Sequence, residues 1–221
     1  EKKLDCFHVA FSGGKDSMLL ALLMTKKIPG QGLIRAVVLV PWAMPAIVAG
    51  IIWSQIFAYN GFINNLLSAL PFVQENYPWL GNESSAKVAV MIADIWKNTP
   101  YMSLLLLSGL LTINKEYYEA ATIDGAGRWR QFWSITVPLV RPTMMVTILF
   151  RIISAMRVYD LIVAMTNGGP GGSTTTVSMY AISTYFTYGN IGYGSALSVM
   201  LLLVSVVISL FFVDSLKSRV R

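Results

Sequence analysis

Four apolar stretches, about 36–58, 88–111, 143–165 and 192–213, dominate the chain and limit what it can become. Each supplies roughly the 20 mainly apolar residues that a helix rising about 1.5 Å per residue needs to cross a bilayer core. Composition agrees, because 55% of residues are hydrophobic and only 13% charged, where a soluble domain is about a quarter charged. The expected fold class is an all-α integral membrane protein, a polytopic helical bundle with four full spans. An even number of spans puts both termini on one side.

The connections identify that side. Lys26, Lys27 and Arg35 precede the first span, Lys115, Arg128, Arg130 and Arg141 lie between the second and third, and Lys217, Arg219 and Arg221 follow the fourth. Segments 59–85 and 166–191 hold no Lys or Arg, with Lys87 just at the rim of the first. By the positive-inside rule the basic connections are cytoplasmic and the other two face outward. The net charge of +6 therefore reads as topology. It does not indicate a nucleic-acid partner, since the basic residues are scattered and lack interleaved stacking aromatics. One cysteine, Cys6, and one histidine, His8, exclude an internal disulfide and a Cys/His metal cluster, so no metal site is expected.

Of the outward segments, "TNGGPGGSTTT" is a Gly/Pro turn leading into the interfacial stretch "VSMYAISTYF". Tyr59, Tyr77, Trp79, Tyr185, Tyr188 and Tyr193 fit an aromatic belt. Pro41, Pro45 and Pro100 fall inside or near spans, where each removes a backbone donor and kinks the helix.

Between the second and third spans, residues 113–138, "INKEYYEAATIDGAGRWRQFWSITVP", form a polar insert. Asn114 can cap a helix whose first turn holds Glu116, with Ile113 and Tyr118 placed as a hydrophobic staple. The helix is expected to run to about Asp124, where Gly125 allows a turn. Trp129, Phe132 and Trp133 then recur at helical spacing until Pro138 ends the run. The result is helix, turn, helix. Ala120, Ala121 and Ala126 make part of its surface small, and Glu119 offers a charge to an arginine partner.

"EAATIDG", nine residues and "ITVP" resemble the EAA loop of permease subunits in binding-protein-dependent ABC importers; Val137 stands where the family has Leu before the proline. The resemblance continues through "GQGLIRAVVLVPWAMPAIVAGIIWSQIF", "GFINNLL", "ADIWKNTPYMSLLLLSGLLTI", "MTNGGPGGST" and "GYGSALS", covers about 19–221, and points to the sugar and glycerol-phosphate branch. It implies that the insert docks into a separate ATP-hydrolysing subunit through Glu119, Ala120, Ala121, Asp124, Gly125, Ile135 and Pro138. It also implies two such ATPase subunits, a second permease subunit, an extracytoplasmic solute-binding protein and a bacterial or archaeal cytoplasmic membrane. On this reading the chain is not itself an enzyme and carries no cofactor, ATP and magnesium being used by the partner. The bland alternative for the insert is an amphipathic element lying in the headgroups.

Asp94, Lys97, Arg151, Arg157 and Asp160 lie within the apolar spans, where each ionised group costs at least about 2.5 kcal/mol near the bilayer centre. They must face protein or water. Depth counting puts Asp94, Arg157 and Asp160 at a similar level, so Asp94 is expected to pair with Arg157, or Arg157 with Asp160 at i, i+3. A polar translocation path and charge pairs that only fix packing explain these residues equally well.

At the other end of the chain, "FHVAFSGGKDSMLLALL" resembles the start of the PP-loop ATP pyrophosphatases. Ser12, Gly13, Gly14, Lys15, Asp16 and Ser17 would form a loop whose amides and hydroxyls suit pyrophosphate. Walker A spacing is absent, and a single candidate strand, about 6–11, leaves no sheet to hold the loop. Residues 1–18 are therefore expected to be a foreign, non-functional stub joined to an N-terminally truncated permease domain, 19–221. A membrane-tethered PP-loop enzyme or a secondary transporter is the alternative, though neither has a reason to carry the insert.

Overall fold

The computed structural model describes residues 17, 18, 20–22, 24, 31–69 and 76–220. The described residues contain helices and connections and no strand. In chain order the helices are α1 (Gln31–Ala43), α2 (Ala46–Ile56), α3 (Phe62–Ser68), α4 (Glu83–Leu111), α5 (Lys115–Ile123) and α6 (Arg128–Gln131). A π turn, Phe132–Thr136, leads from α6 into α7 (Val137–Met156). Then come α8 (Asp160–Met165), α9 (Val177–Ile182), a second π turn (Ser183–Thr187) and α10 (Ile191–Val220).

Among the described residues two helices are long and apolar enough to cross a membrane, Arg128–Met156 and Ile191–Phe212. The first expected span is a broken pair, Ala36–Ala43 and Ala46–Ile56, bent by 97°. Pro45 accounts for the break: it has no N–H for a carbonyl one turn back, and its ring disfavours helical geometry at Met44. The second expected span is the 29-residue α4, long enough to cross but carrying Asp94 and Lys97. The third, expected over 143–165, starts earlier and ends sooner. Pro138, read as a stop, lies in the first turn of α7, and the helix runs on from Arg128 to Met156. Directly before the proline the backbone widens into the π turn, where Val137 donates to Phe132 rather than to Trp133. A π turn gives the pyrrolidine ring the room that a regular α turn denies it.

The chain divides into two compact units, residues 1–40, 99–152 and 207–221 in one, and 41–98 and 153–206 in the other. The core of the first gathers Met18, Ala21, Met24, Leu106, Leu107, Leu110 and Val140, with Phe132 and Ile113 packed on it. Gly109 permits close approach there, because a Cβ would lie 2.8 Å from that of Thr143. In the second unit Ala49, Phe57, Ala89, Val90, Ala93, Leu161, Ile162 and Met165 form the core, flanked by Trp53, Trp79 and Trp96. Many large apolar side chains stay exposed, Leu202, Leu203, Val207, Leu210 and Phe211 among them. That pattern belongs to a lipid-facing surface.

Candidate functional site

The polar insert forms the hairpin its residues encode. Asn114 caps α5, its side chain accepting from the Glu116 amide at 3.2 Å and donating to the Glu116 carboxylate at 3.0 Å. At the other end Gly125 takes φ +74°. Its amide donates to Thr122 O at 3.0 Å, and that of Ala126 to Ala121 O at 2.9 Å. These two bonds are a Schellman cap, which requires a left-handed residue at Gly125. The second arm is tied back to the first: the Tyr118 and Thr136 hydroxyls meet at 2.9 Å, and Gln131 Nε2 donates to Thr122 Oγ1 at 3.0 Å and Ala126 O at 2.9 Å. The hairpin is therefore a braced unit.

Glu119, Ala120, Asp124, Gly125 and Pro138 are exposed, while Ala121 and Ile135 are half-buried. A Cβ at Gly125 would meet nothing within 4 Å, so the turn is open to a partner. The most prominent residue is one that sequence reasoning passed over, Ile123, which is 88% exposed. An apolar side chain between Glu119 and the turn gives the tip a hydrophobic contact as well as charge.

The charges of the apolar helices divide differently. Arg151 is buried, as an arginine in a spanning helix must be. Asp94 is also buried, and Asn98 Nδ2 donates to its carboxylate at 2.8 Å. One turn along α4, Lys97 extends its ammonium to Met44 O at 2.5 Å and Trp42 O at 3.4 Å. It thereby supplies donors to carbonyls that the break at Pro45 leaves without helical partners, at the end of α1 where positive charge is favoured. Sequence reasoning placed Lys97 among the membrane charges but missed this capping role.

Arg157 and Asp160 are exposed. Among the described residues neither side chain forms a hydrogen bond or ion pair, so the expected pairing of Arg157 with Asp94 or Asp160 is not formed. The helix ends at Met156 and restarts at Asp160, which removes the i, i+3 geometry that pairing within one helix needs. The carbonyls freed by this break accept from the start of α9 and its cap, Met156 O from Ser178 Oγ at 3.1 Å and Val158 O from Thr176 Oγ1 at 2.9 Å.

Ser12, Gly13, Gly14, Lys15 and Asp16 lie outside the described residues. Ser17 is helical and fully buried, its hydroxyl directed to Thr99 O at 3.4 Å. That side chain sits in helix packing rather than in an open phosphate loop.

Apolar helices, bent and straight, together with a braced polar hairpin mark a helical membrane protein. Residues 17–221 match the family model "Binding-protein-dependent transport system inner membrane component", and the chain belongs to this family. It is 45% identical over 181 residues to the trehalose/maltose transport system permease protein MalF of Thermococcus litoralis, covering 81% of this chain and 60% of that protein. It is 38% identical over 201 residues to the sulfoquinovosyl glycerol transport system permease protein SmoG of Agrobacterium fabrum, covering 90% and 65%. The chain thus spans less than two thirds of the length of these curated relatives. In fold it resembles the crystal structure of a bacterial ABC transporter involved in the import of alginate, with a TM-score of 0.83, 21% identity, and coverage of 97% of this chain and 77% of that one.

Proposed function

We propose that this chain is the membrane-spanning part of an ATP-driven carbohydrate importer and receives its conformational drive through the α5 hairpin. A second permease subunit completes the pathway, two ATPase subunits hydrolyse magnesium-bound ATP on the cytoplasmic side, and an extracytoplasmic binding protein delivers the sugar. The single observation that carries the reading is the hairpin itself. An acidic, small-residue helix is capped at both ends, braced by Tyr118 and Gln131, and presents Glu119, Ile123 and the open Gly125 turn at its exposed tip. Rigid bracing lets a force applied at the tip reach α7, because Thr136 and Gln131 belong to the helix that continues into the membrane. The carbohydrate assignment follows the transport named for both relatives.

Glu119→Lys tests the reading directly. The side chain is exposed, so the variant is expected to reach the membrane at parental levels while losing co-purification with the ATPase subunit and sugar-stimulated ATP hydrolysis. Parental ATPase stimulation in that variant would remove the hairpin from the drive.

A further inference from the structure

The hairpin divides its charge sharply between its arms. The first arm sets Glu116, Glu119 and Asp124 against Lys115, whereas residues 125–156 hold four arginines and no acidic residue. Trp129 and Trp133 lie among the first of these arginines, 75% and 55% exposed, and Arg128, Arg130 and Arg141 are exposed as well. Phe132 fixes the cluster. It packs on the core of its unit with its ring centroid 6.1 Å from that of Trp129 and 5.3 Å from that of Trp133, holding the two indoles as a ledge on the surface.

Helix length says where this ledge stands. The run Arg128–Met156 has 29 residues, about 44 Å at about 1.5 Å per residue, against a hydrocarbon core of about 30 Å. The surplus of about nine residues matches 128–136, the stretch with the indoles and the π turn, so this stretch projects into the headgroup layer. Indoles favour that layer, and basic residues at an anionic leaflet are held there by its surface potential.

We propose that the Arg128–Trp133 surface is a membrane anchor. Trp129 and Trp133 seat among the headgroups, and Arg128 and Arg130, with Arg141 reaching back from about one turn deeper, bind anionic phospholipid, leaving the acidic arm free for a protein partner. The ledge belongs to the same hairpin as the proposed coupling site, but its occupant is lipid, not protein.

Depth-resolved spin labelling tests this in the full chain, with Cys6→Ser as background and a single label at Trp133→Cys or, separately, Trp129→Cys. The chain is reconstituted in nanodiscs of phosphatidylcholine, with or without phosphatidylglycerol. Both labels are expected to be more accessible to oxygen than to a water-soluble nickel chelate, and more so with phosphatidylglycerol. Removing Arg128, Arg130 and Arg141 together, each to Gln, is expected to abolish the difference between the two lipids, each arginine accounting for about a fivefold preference, equivalent to about 1 kcal/mol. Greater accessibility to nickel in both lipids would overturn the anchor, as would shielding from both reagents only after ATPase subunit is added, which would make the ledge a protein contact. An unchanged lipid difference in the triple variant would overturn the role of the arginines. A label at Ile123→Cys separates this proposal from the coupling function: it should be water-exposed in the chain alone and shielded by the ATPase, and failure there with lipid-seated indoles would leave the anchor standing.

Discussion

Asn64 is the residue that most repays attention to single atoms. It is 2% exposed, and its amide nitrogen donates to Tyr77 O at 2.8 Å and Tyr59 O at 2.9 Å. Its oxygen accepts from the Tyr77 amide at 3.2 Å and Trp79 Nε1 at 3.0 Å. An amide side chain has two donor hydrogens and two acceptor lone pairs, and all four are used: three hold Tyr77 and Trp79 ahead of α4, and one ties Tyr59 ahead of α3. Asn64→Ala would leave a half-buried indole N–H and several backbone groups without their partner, at about 1–3 kcal/mol. Asn64→Asp keeps the acceptors but turns a carboxylate toward two carbonyls, so both variants should unfold at lower temperature than the parent in detergent, followed by tryptophan fluorescence. Parental thermal stability in Asn64→Ala would show that the connection is held by its aromatic packing alone.

Elements depend on close approach as much as on polar ties. At Gly50, on α2, an added Cβ would lie 2.6 Å from that of Ala164 and 2.9 Å from Leu161 O, both on α8. Small residues at such crossings let helices pack at van der Waals distance in lipid. Because Leu161 O is backbone, Gly50→Val must push α2 and α8 apart and is expected to lower the yield of folded, monodisperse protein. Ala164→Gly should rescue Gly50→Ala only in part, since it removes one collision and not the other; full rescue would exonerate the Leu161 contact. What could be read in advance follows the same division between local and distant causes. The Asn114 cap and the Gly125 turn are written in adjacent residues and were legible, whereas Pro45 was one of three prolines expected to kink, and Pro41 and Pro100 lie inside helices. The break at 157–159 was not legible, because no proline or glycine lies between 151 and 165 and the groups that stabilise it, Thr176 and Ser178, lie some twenty residues on. Asn64 escaped notice for the same reason, and Pro138 was misread because a π turn absorbs what an α turn cannot. Of the candidate site, the exposed acidic helix was legible and Ile123 was not, since an apolar residue inside an amphipathic pattern reads as core.

For the whole molecule the decisive quantity is the side of the membrane on which each connection lies. The arginines and lysines between the second and third apolar stretches contrast with none at all in 166–191, and such an imbalance in short connections orients a chain during insertion. The structure supplies an exposed reporter position in each: Ile123 at the hairpin tip, 88% exposed, and Tyr188 after the second π turn, 73% exposed. With Cys6→Ser as background, Tyr188→Cys in intact cells stripped of their outer layers should react with a membrane-impermeant maleimide, and Ile123→Cys should react only in inverted vesicles. On the proposed reading, the partner ATPase grips the hairpin only from the cytoplasmic side. Labelling of both positions from one side would contradict the expected topology and, with it, the proposed drive through α5, whereas labelling from opposite sides agrees with both.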